Sequence, residues 1–476
     1  MILVKLNRPC YEYDIHSLIK AFYPEEDVSV TAEDKVYDVP ILWQMQIFYN
    51  EDEITVEWEG THTFVVDAAD RTGTKNRLKQ ELYGLLAART GKTLPWGTLT
   101  GIRPTKIAMK MLEQGDTRQD IHTYMENTYF TSCEKIDLSI DIAKRELALL
   151  SGLDYEKGYS MYIGIPFCPT TCLYCSFTSY PLASWAKRVD DYLDVLEREI
   201  DFAAVKLAHR RLNSIYIGGG TPTTLEPYQM DRLLRKIKCS FDLKDCLEFT
   251  VEAGRPDSIT KEKLMVLRSH GVSRISINPQ TMKDETLKLI GRRHTVAQTV
   301  ESFHLARELG FDNINMDLIM GLPEETLDDV CHTMEQIRKL APDNVTVHSL
   351  ALKRAARLNM FKEDYKNYRM VNTQEHMDLV ASYARDMGLS PYYLYRQKSM
   401  AGNLENVGYA APGKAGVYNI LIMEEVQDIV ALGAGSISKR IYPDGRIERC
   451  ENVKDVTQYI DRIGEMIERK RVLFSD

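Results

Sequence analysis

No stretch of the 476 residues comes near the ~20 consecutive apolar positions that a bilayer-spanning helix needs. The chain also lacks an excess of positive charge: 60 Lys and Arg stand against 69 Asp and Glu, for a net charge of −9. A dedicated nucleic-acid binder wants the opposite balance, so that class is set aside. The opening, Met1-Ile-Leu-Val-Lys-Leu-Asn-Arg-Pro-Cys10, has neither the basic start nor the longer apolar core of a signal peptide and reads as a first strand. A cytoplasmic location is expected, where thiols stay reduced. Low-complexity segments and internal repeats are missing too. Histidine is scarce, and none lies between His122 and His209. That last gap matters, because it surrounds the densest group of cysteines.

Those cysteines lie in Tyr162-Ile-Gly-Ile-Pro-Phe-Cys-Pro-Thr-Thr-Cys-Leu-Tyr-Cys-Ser-Phe177, directly after a short apolar run. Cys168, Cys172 and Cys175 form a C-x3-C-x2-C pattern. Three thiolates on one loop suit a soft metal site or an iron–sulfur cluster. A structural zinc would want a fourth Cys or His nearby, and the next cysteines are Cys133 and Cys239. Cys10, Cys133, Cys239, Cys246, Cys331 and Cys450 are scattered and read mostly as packing residues.

Residues 1 to about 70 alternate in the strand period, most clearly at Ile41–Tyr49, Ile54–Trp58 and Thr61–Val66. Helical spacing follows at 75–88, 106–115, 118–128 and 136–150. Between them Leu94-Pro-Trp-Gly-Thr-Leu-Thr-Gly-Ile-Arg-Pro-Thr105 reads as a linker, or as a rigid loop offering Trp96 and Arg103 to an anion. Residues 1–155 are therefore expected to form an α+β domain.

From Tyr159 short apolar strands alternate with amphipathic helices. Strands are expected at Met161–Ile165, Ser214–Ile217, Glu248–Glu252, Arg274–Asn278, Asn313–Ile319 and Asn344–Ser349, with helices between. Six such units, spanning 156–350, imply a parallel sheet with right-handed crossovers. They are too few to close an eight-stranded barrel, so a partial open (β/α)6 barrel is expected, with its site at the C-terminal strand ends. Residues 351–476 are expected to form a further unit covering the substrate, with a helix near 374–387, an aromatic run at 392–395 and a terminal helix at 453–471. Gln397–Tyr409 is too rich in Gly and Asn to predict a buried element there.

The polar motifs fall at those strand ends. Gly218-Gly-Gly-Thr-Pro-Thr223 lets the backbone approach a ligand, although a tight turn explains it equally well. Glu252 and Asp317 lie inside apolar strands, where a carboxylate is expensive to bury unless it binds something. Arg293 and His294 read as a solvated helix end.

Taken together and in order, Ile165-Pro-Phe-Cys-x3-Cys-x-Tyr-Cys175, Gly218-Gly-Gly-Thr-Pro-Thr223 and Asp317-Leu-Ile-Met-Gly-Leu-Pro-Glu-Glu-Thr326 resemble the oxygen-independent coproporphyrinogen III oxidase family of radical S-adenosylmethionine (SAM) proteins. The N-terminal domain and the Gln397–Tyr409 stretch look most like its HemZ-type branch. The resemblance implies that Cys168, Cys172 and Cys175 hold a [4Fe–4S] cluster whose open iron binds SAM. It implies that Tyr174 contacts the adenine, and that Gly218, Gly219 and Thr221 meet the methionine end. Glu252, Gln280 and Asp317 would serve the polar groups of SAM, and Arg292 its carboxylate. Tyr162 would lie near SAM and the cluster, and is the candidate catalytic residue. The implied substrate is a tetrapyrrole, with an electron donor such as flavodoxin or ferredoxin. Lys353, Arg354, Arg396 and Lys398 become candidates for holding propionates. Two positions depart from the family's decarboxylases. Gly164 stands where they carry a His, and Phe177 where they carry a fourth Cys, as it does in relatives thought to be haem chaperones.

Overall fold

A computed structural model describes the chain except residues 102, 178, 352–355, 361–364, 366, 398–403 and 476. It divides into two compact units, one of residues 1–144 with 395–405 and the other of 145–394 with 406–476.

The first unit holds a five-stranded sheet in which Ile2–Leu6 lies between Val28–Thr31 and Trp43–Tyr49, parallel to both. Glu53–Glu57 and Thr61–Val65 continue it as antiparallel hairpins. The strand reading of residues 1–70 misses one helix, Glu12–Phe22. Its buried Ile15, Leu18, Ile19 and Phe22 follow the helical, not the strand, period. They pack with Leu78, Leu82 and Leu86 of the helix Arg71–Thr90 over the sheet. Trp96 is fully buried and donates through Nε1 to Glu405 at 2.7 Å, so its role is structural. Arg396 is buried as well, donating to the Leu99 carbonyl at 2.6 Å beside the Trp96 ring. Lys353, Arg354 and Lys398 lie outside the described residues.

The second unit is built on six parallel strands in chain order: Gly158–Ile165, Arg211–Gly219, Glu248–Gly254, Arg274–Ile277, Ile314–Met320 and Asn344–Ser349. All six expected strands are present, and so are the helices between them. Thr295 and Thr326 start two of these helices, each accepting from the backbone N–H three residues on. The sheet does not close; it is a partial barrel. Further strands extend both edges. Asp428–Leu432 runs parallel to the first core strand and leads into the hairpin Ile437–Ile441 and Ile447–Glu451. Asn406–Ala410 pairs antiparallel with the sixth. This strand is buried throughout, against the expectation for the Gln397–Tyr409 stretch. Its Gly408 is required because a Cβ there would lie 1.9 Å from the Tyr393 ring. The terminal helix is two helices, Val456–Asp461 and Ile463–Leu473. Among the described residues no helix is long and apolar enough to cross a membrane.

Candidate active site

The six core strands present one mostly apolar and one mostly polar face. Ile163, Ile217, Val251, Ile275, Leu318 and Val347 face outward, each at most 2% exposed. The opposite face carries Tyr162 beside Tyr216, Tyr216 beside Thr250, and Thr250 beside Arg274. Nearer the C-terminal ends, Glu252 stands beside Ser276, Ser276 beside Asn315, and Asp317 beside Thr346. A closed barrel fills its interior with branched apolar side chains. This one keeps a polar interior, and a buried polar face calls for ligands or dense hydrogen bonding.

The cysteine loop leaves the first strand and is pinned to the turn after the helix Asp284–Leu289 and to the end of the third strand. Thr170 Oγ1 donates to the Gly291 carbonyl at 3.0 Å, and Leu173 N–H to Ile290 at the same distance. Arg255, at the end of the third strand and 3% exposed, donates to Thr170 O at 3.0 Å and Oγ1 at 2.7 Å. The same guanidinium lies 3.9 Å from Cys172 Sγ, while Asp257 holds its other side at 3.0 and 2.8 Å. Thr221 Oγ1 donates to Cys168 Sγ at 3.5 Å. Burial pushes the Cys168 thiol up to about 11, and burial also raises Cys175, with the other cysteines' charges adding to both. Thiols so placed need a cation to become thiolates. Among the described residues no three Cys, His, Asp or Glu side chains converge on a single ion. A cubane cluster does not ask for that, because each thiolate binds a different iron.

Facing the loop, Arg292 is buried, with Nη1 on Asn278 O at 2.6 Å and Nη2 on the Tyr174 hydroxyl at 3.1 Å. Its Nε has no protein partner, which leaves one donor of a buried cation for an anion. Across the site, Glu252 accepts from Tyr216 at 2.5 Å. Burial raises its carboxyl to about 7, with Tyr216 opposing and the charge of Asp317 adding. Burial also pushes Asp317 up, but His348 and Asn315 outweigh it and hold this carboxyl below its ordinary value. Asn315 Nδ2 donates to Asp317 Oδ1 at 2.7 Å. Gln280 bridges to the fifth strand by backbone bonds, donating to Asp317 O and accepting from Ile319 N–H, both at 3.0 Å, with φ at +70°. The glycine turn completes the cradle. Gly219 has φ +107°, and a Cβ on Gly220 would sit 2.6 Å from the Phe167 carbonyl.

The structure thus gathers Tyr162, Tyr174, Gly218, Gly219, Thr221, Glu252, Gln280, Arg292 and Asp317 at one end of the strands with the three cysteines. His294 corrects the expectation of a solvated helix end: it is 3% exposed, and burial, helped by the charge of Arg292, lowers it to about 3. Arg293 is exposed, as expected. Cys133 and Cys239 are also exposed rather than packed. Sequence reading missed Tyr216 and Tyr418, which stack with Tyr162 at centroid distances of 6.2 and 6.4 Å. It also missed Arg255, His348 and Arg274, a fully buried cation whose charge favours the ionised forms of Glu252 and Asp317. The polar–apolar alternation of the strands was the signal that marks most of them.

Residues 162–337 match the radical SAM superfamily. The chain is 40% identical to the oxygen-independent coproporphyrinogen-III oxidase-like protein HemZ of Bacillus subtilis, over 98% of this chain and 95% of that one. It is 34% identical to the heme chaperone HemW of the same organism, over 64% of this chain and 76% of HemW. Its fold matches coproporphyrinogen III oxidase (HemN) from Escherichia coli with a TM-score of 0.52 at 24% identity, covering 67% of this chain and 73% of that one. With the HemZ identity running nearly end to end, the chain belongs to the coproporphyrinogen III oxidase-like family of radical SAM oxidoreductases, whose cofactors are a [4Fe–4S] cluster and SAM.

Proposed function

We propose that the chain carries out the oxygen-independent oxidative decarboxylation of coproporphyrinogen III to protoporphyrinogen IX. In that reaction each of two propionates gives up CO2, a hydrogen atom and an electron and becomes a vinyl group, the electron passing to a one-electron acceptor. When bound, the cluster and SAM would supply one-electron radical chemistry able to take that hydrogen, fed by a donor such as flavodoxin or ferredoxin.

The protein's own part is to hold and orient. Cys168, Cys172 and Cys175 would ligate three irons, each thiolate stabilised by its metal against the burial that otherwise protonates it. The unpartnered Nε of Arg292 suits the SAM carboxylate. Gly218, Gly219 and Thr221 would receive the methionine end, Tyr174 the adenine, and Glu252, Gln280 and Asp317 the remaining polar groups, including the ribose. Tyr162, partly buried and stacked beside Tyr216 and Tyr418, would form part of the wall around the reacting centre. The observation that carries the reading is this convergence of three thiols, a half-paired buried arginine and two acids at the ends of the strands.

A second reading is favoured by Gly164, which leaves no protonatable side chain where the decarboxylases have one. On it the chain modifies another tetrapyrrole by the same radical chemistry, or binds haem without turnover. Anaerobic incubation of the cluster-loaded chain with SAM, reductant and coproporphyrinogen III separates these. Protoporphyrinogen IX formed in step with 5′-deoxyadenosine is the expected result. Deoxyadenosine without CO2 loss would transfer the chemistry to a different tetrapyrrole, and tight haem binding without SAM cleavage would overturn the enzymatic reading.

A further inference from the structure

A cavity of about 210 Å³ opens at the end of the first core strand, with Gly164 and Tyr162 on one side, Ser176 and Phe177 on the second, and Ser436 and Lys454 on the third. What distinguishes it is the reason for the glycine. Gly433, in the opposite wall, has φ +94°, and a Cβ there would lie 2.4 Å from the Gly164 carbonyl. Gly164 has no such constraint: its φ is outside the left-handed region, and a Cβ would meet nothing closer than 3.5 Å. Neither backbone nor neighbours demand glycine, and glycine weakens a strand. What the residue provides is the open space in front of it.

The walls are built not to collapse into that space. The Tyr192 hydroxyl donates to Gly164 O at 2.6 Å and accepts from Ala434 N–H at 3.0 Å. Beneath it Glu199 and Lys470, both wholly buried, pair at 2.7 Å. Glu199 also accepts from Gly433 N–H at 2.8 Å, Tyr459 at 2.6 Å and Asn452 at 2.8 Å. A fully satisfied buried network of this kind fixes the loop that forms the far wall. The lining is correspondingly mixed. The Tyr162 ring and Phe177, 70% exposed, offer apolar faces; Ser176 and Ser436 bring hydroxyls; and Lys454, exposed, has no carboxylate partner among the described residues.

An apolar wall beside a rim cation fits a short hydrocarbon arm ending in a carboxylate. Resting on the tetrapyrrole reading above, we infer that this cavity is a substrate subsite. It takes one carboxylate-bearing arm of the macrocycle, Gly164 keeps the space open, and Lys454 pairs with the carboxylate.

The test is equilibrium binding of coproporphyrin III and of its tetramethyl ester to the cluster-loaded full chain, with Gly164→Leu, Lys454→Met and Lys454→Arg alongside. Cluster absorbance per chain reports folding in each. Gly164→Leu is expected to weaken both ligands by about tenfold or more, because it removes the space. Lys454→Met is expected to weaken the free acid alone, by about threefold to fivefold at low salt, and Lys454→Arg to restore it. Lys454 is exposed, so its variants remain informative if Gly164→Leu misfolds. Binding by the parent that none of the variants changes would overturn the subsite and leave the tetrapyrrole reading standing. A parent chain that binds neither coproporphyrin III nor, under anaerobic conditions, coproporphyrinogen III would overturn both.

Discussion

The Arg255 guanidinium contacts Asp257, Thr170 and the sulfur of Cys172, and so couples the third strand to the cluster loop. A cation beside a cluster thiolate favours the more negative, reduced cluster. Arg255→Leu should therefore move the midpoint potential to more negative values, with Arg255→Lys between the two, as read by redox titration followed by paramagnetic resonance. An unchanged potential would mean that the contact serves the loop alone. Glu252 gives a second prediction. With its carboxyl near 7, it is ionised above neutrality and protonated below, so SAM affinity should fall as the pH drops through about 7. Tyr216 opposes the upward shift, so Tyr216→Phe should move that fall to higher pH. Calorimetric SAM binding between about pH 6 and 8.5 reads both curves. A pH-independent affinity in the parent would remove Glu252 from the ligand set. The cysteines were legible because their spacing is local. Arg255 was not, because its partners Thr170 and Cys172 are distant in sequence and nothing nearby in the chain announces them.

At the scale of elements, the core strands and helices could be read from apolar periodicity, because each is held by its own outward face. The polar inner face was legible too, in runs such as Arg274-Ile-Ser-Ile-Asn278 and Asn344-Val-Thr-Val-His348, but a search for apolar strands passes over it. Asn406–Ala410 went unrecognised for another reason: its glycine is dictated by a ring on a different strand, and sequence composition then argues for a loop. Gly408→Ala should accordingly destabilise the chain by about 1–3 kcal/mol, as overpacking does. Gly84, inside the helix Arg71–Thr90, should behave oppositely, because a Cβ added there would meet nothing within 4 Å. Gly84→Ala is expected to stabilise by roughly 0.5–1 kcal/mol. Thermal unfolding of the two variants against the parent checks the pair, and a similar loss in both would refute the steric account.

For the whole molecule, the decisive feature is that the first core strand, which leads into the cysteine loop, is flanked on its outer side by Asp428–Leu432. Removal of residues 426–476 would strip that neighbour away together with Gly433, Asn452, Tyr459 and Lys470, the groups that pair with Glu199, leaving the strand edge and the helix face around Glu199 bare. The truncated chain is expected to aggregate or to fail to take up the cluster, whereas a variant retaining full cluster absorbance would show that the six-stranded core stands alone. Sequence alone located the core but gave no sign of this closure, because strand pairing across such a separation leaves no local periodicity.

The same pairing has a consequence in time. Ribosomes deliver a chain from its N-terminus at about 5–20 residues per second, so the strand beside the cysteine loop waits roughly tens of seconds for its outer partner. Through that interval the three thiols emerge on a scaffold that is still missing one wall. A complete site for iron is therefore expected only once residues 428–432 have paired, and the three thiols are most open to oxidants in the interval before that.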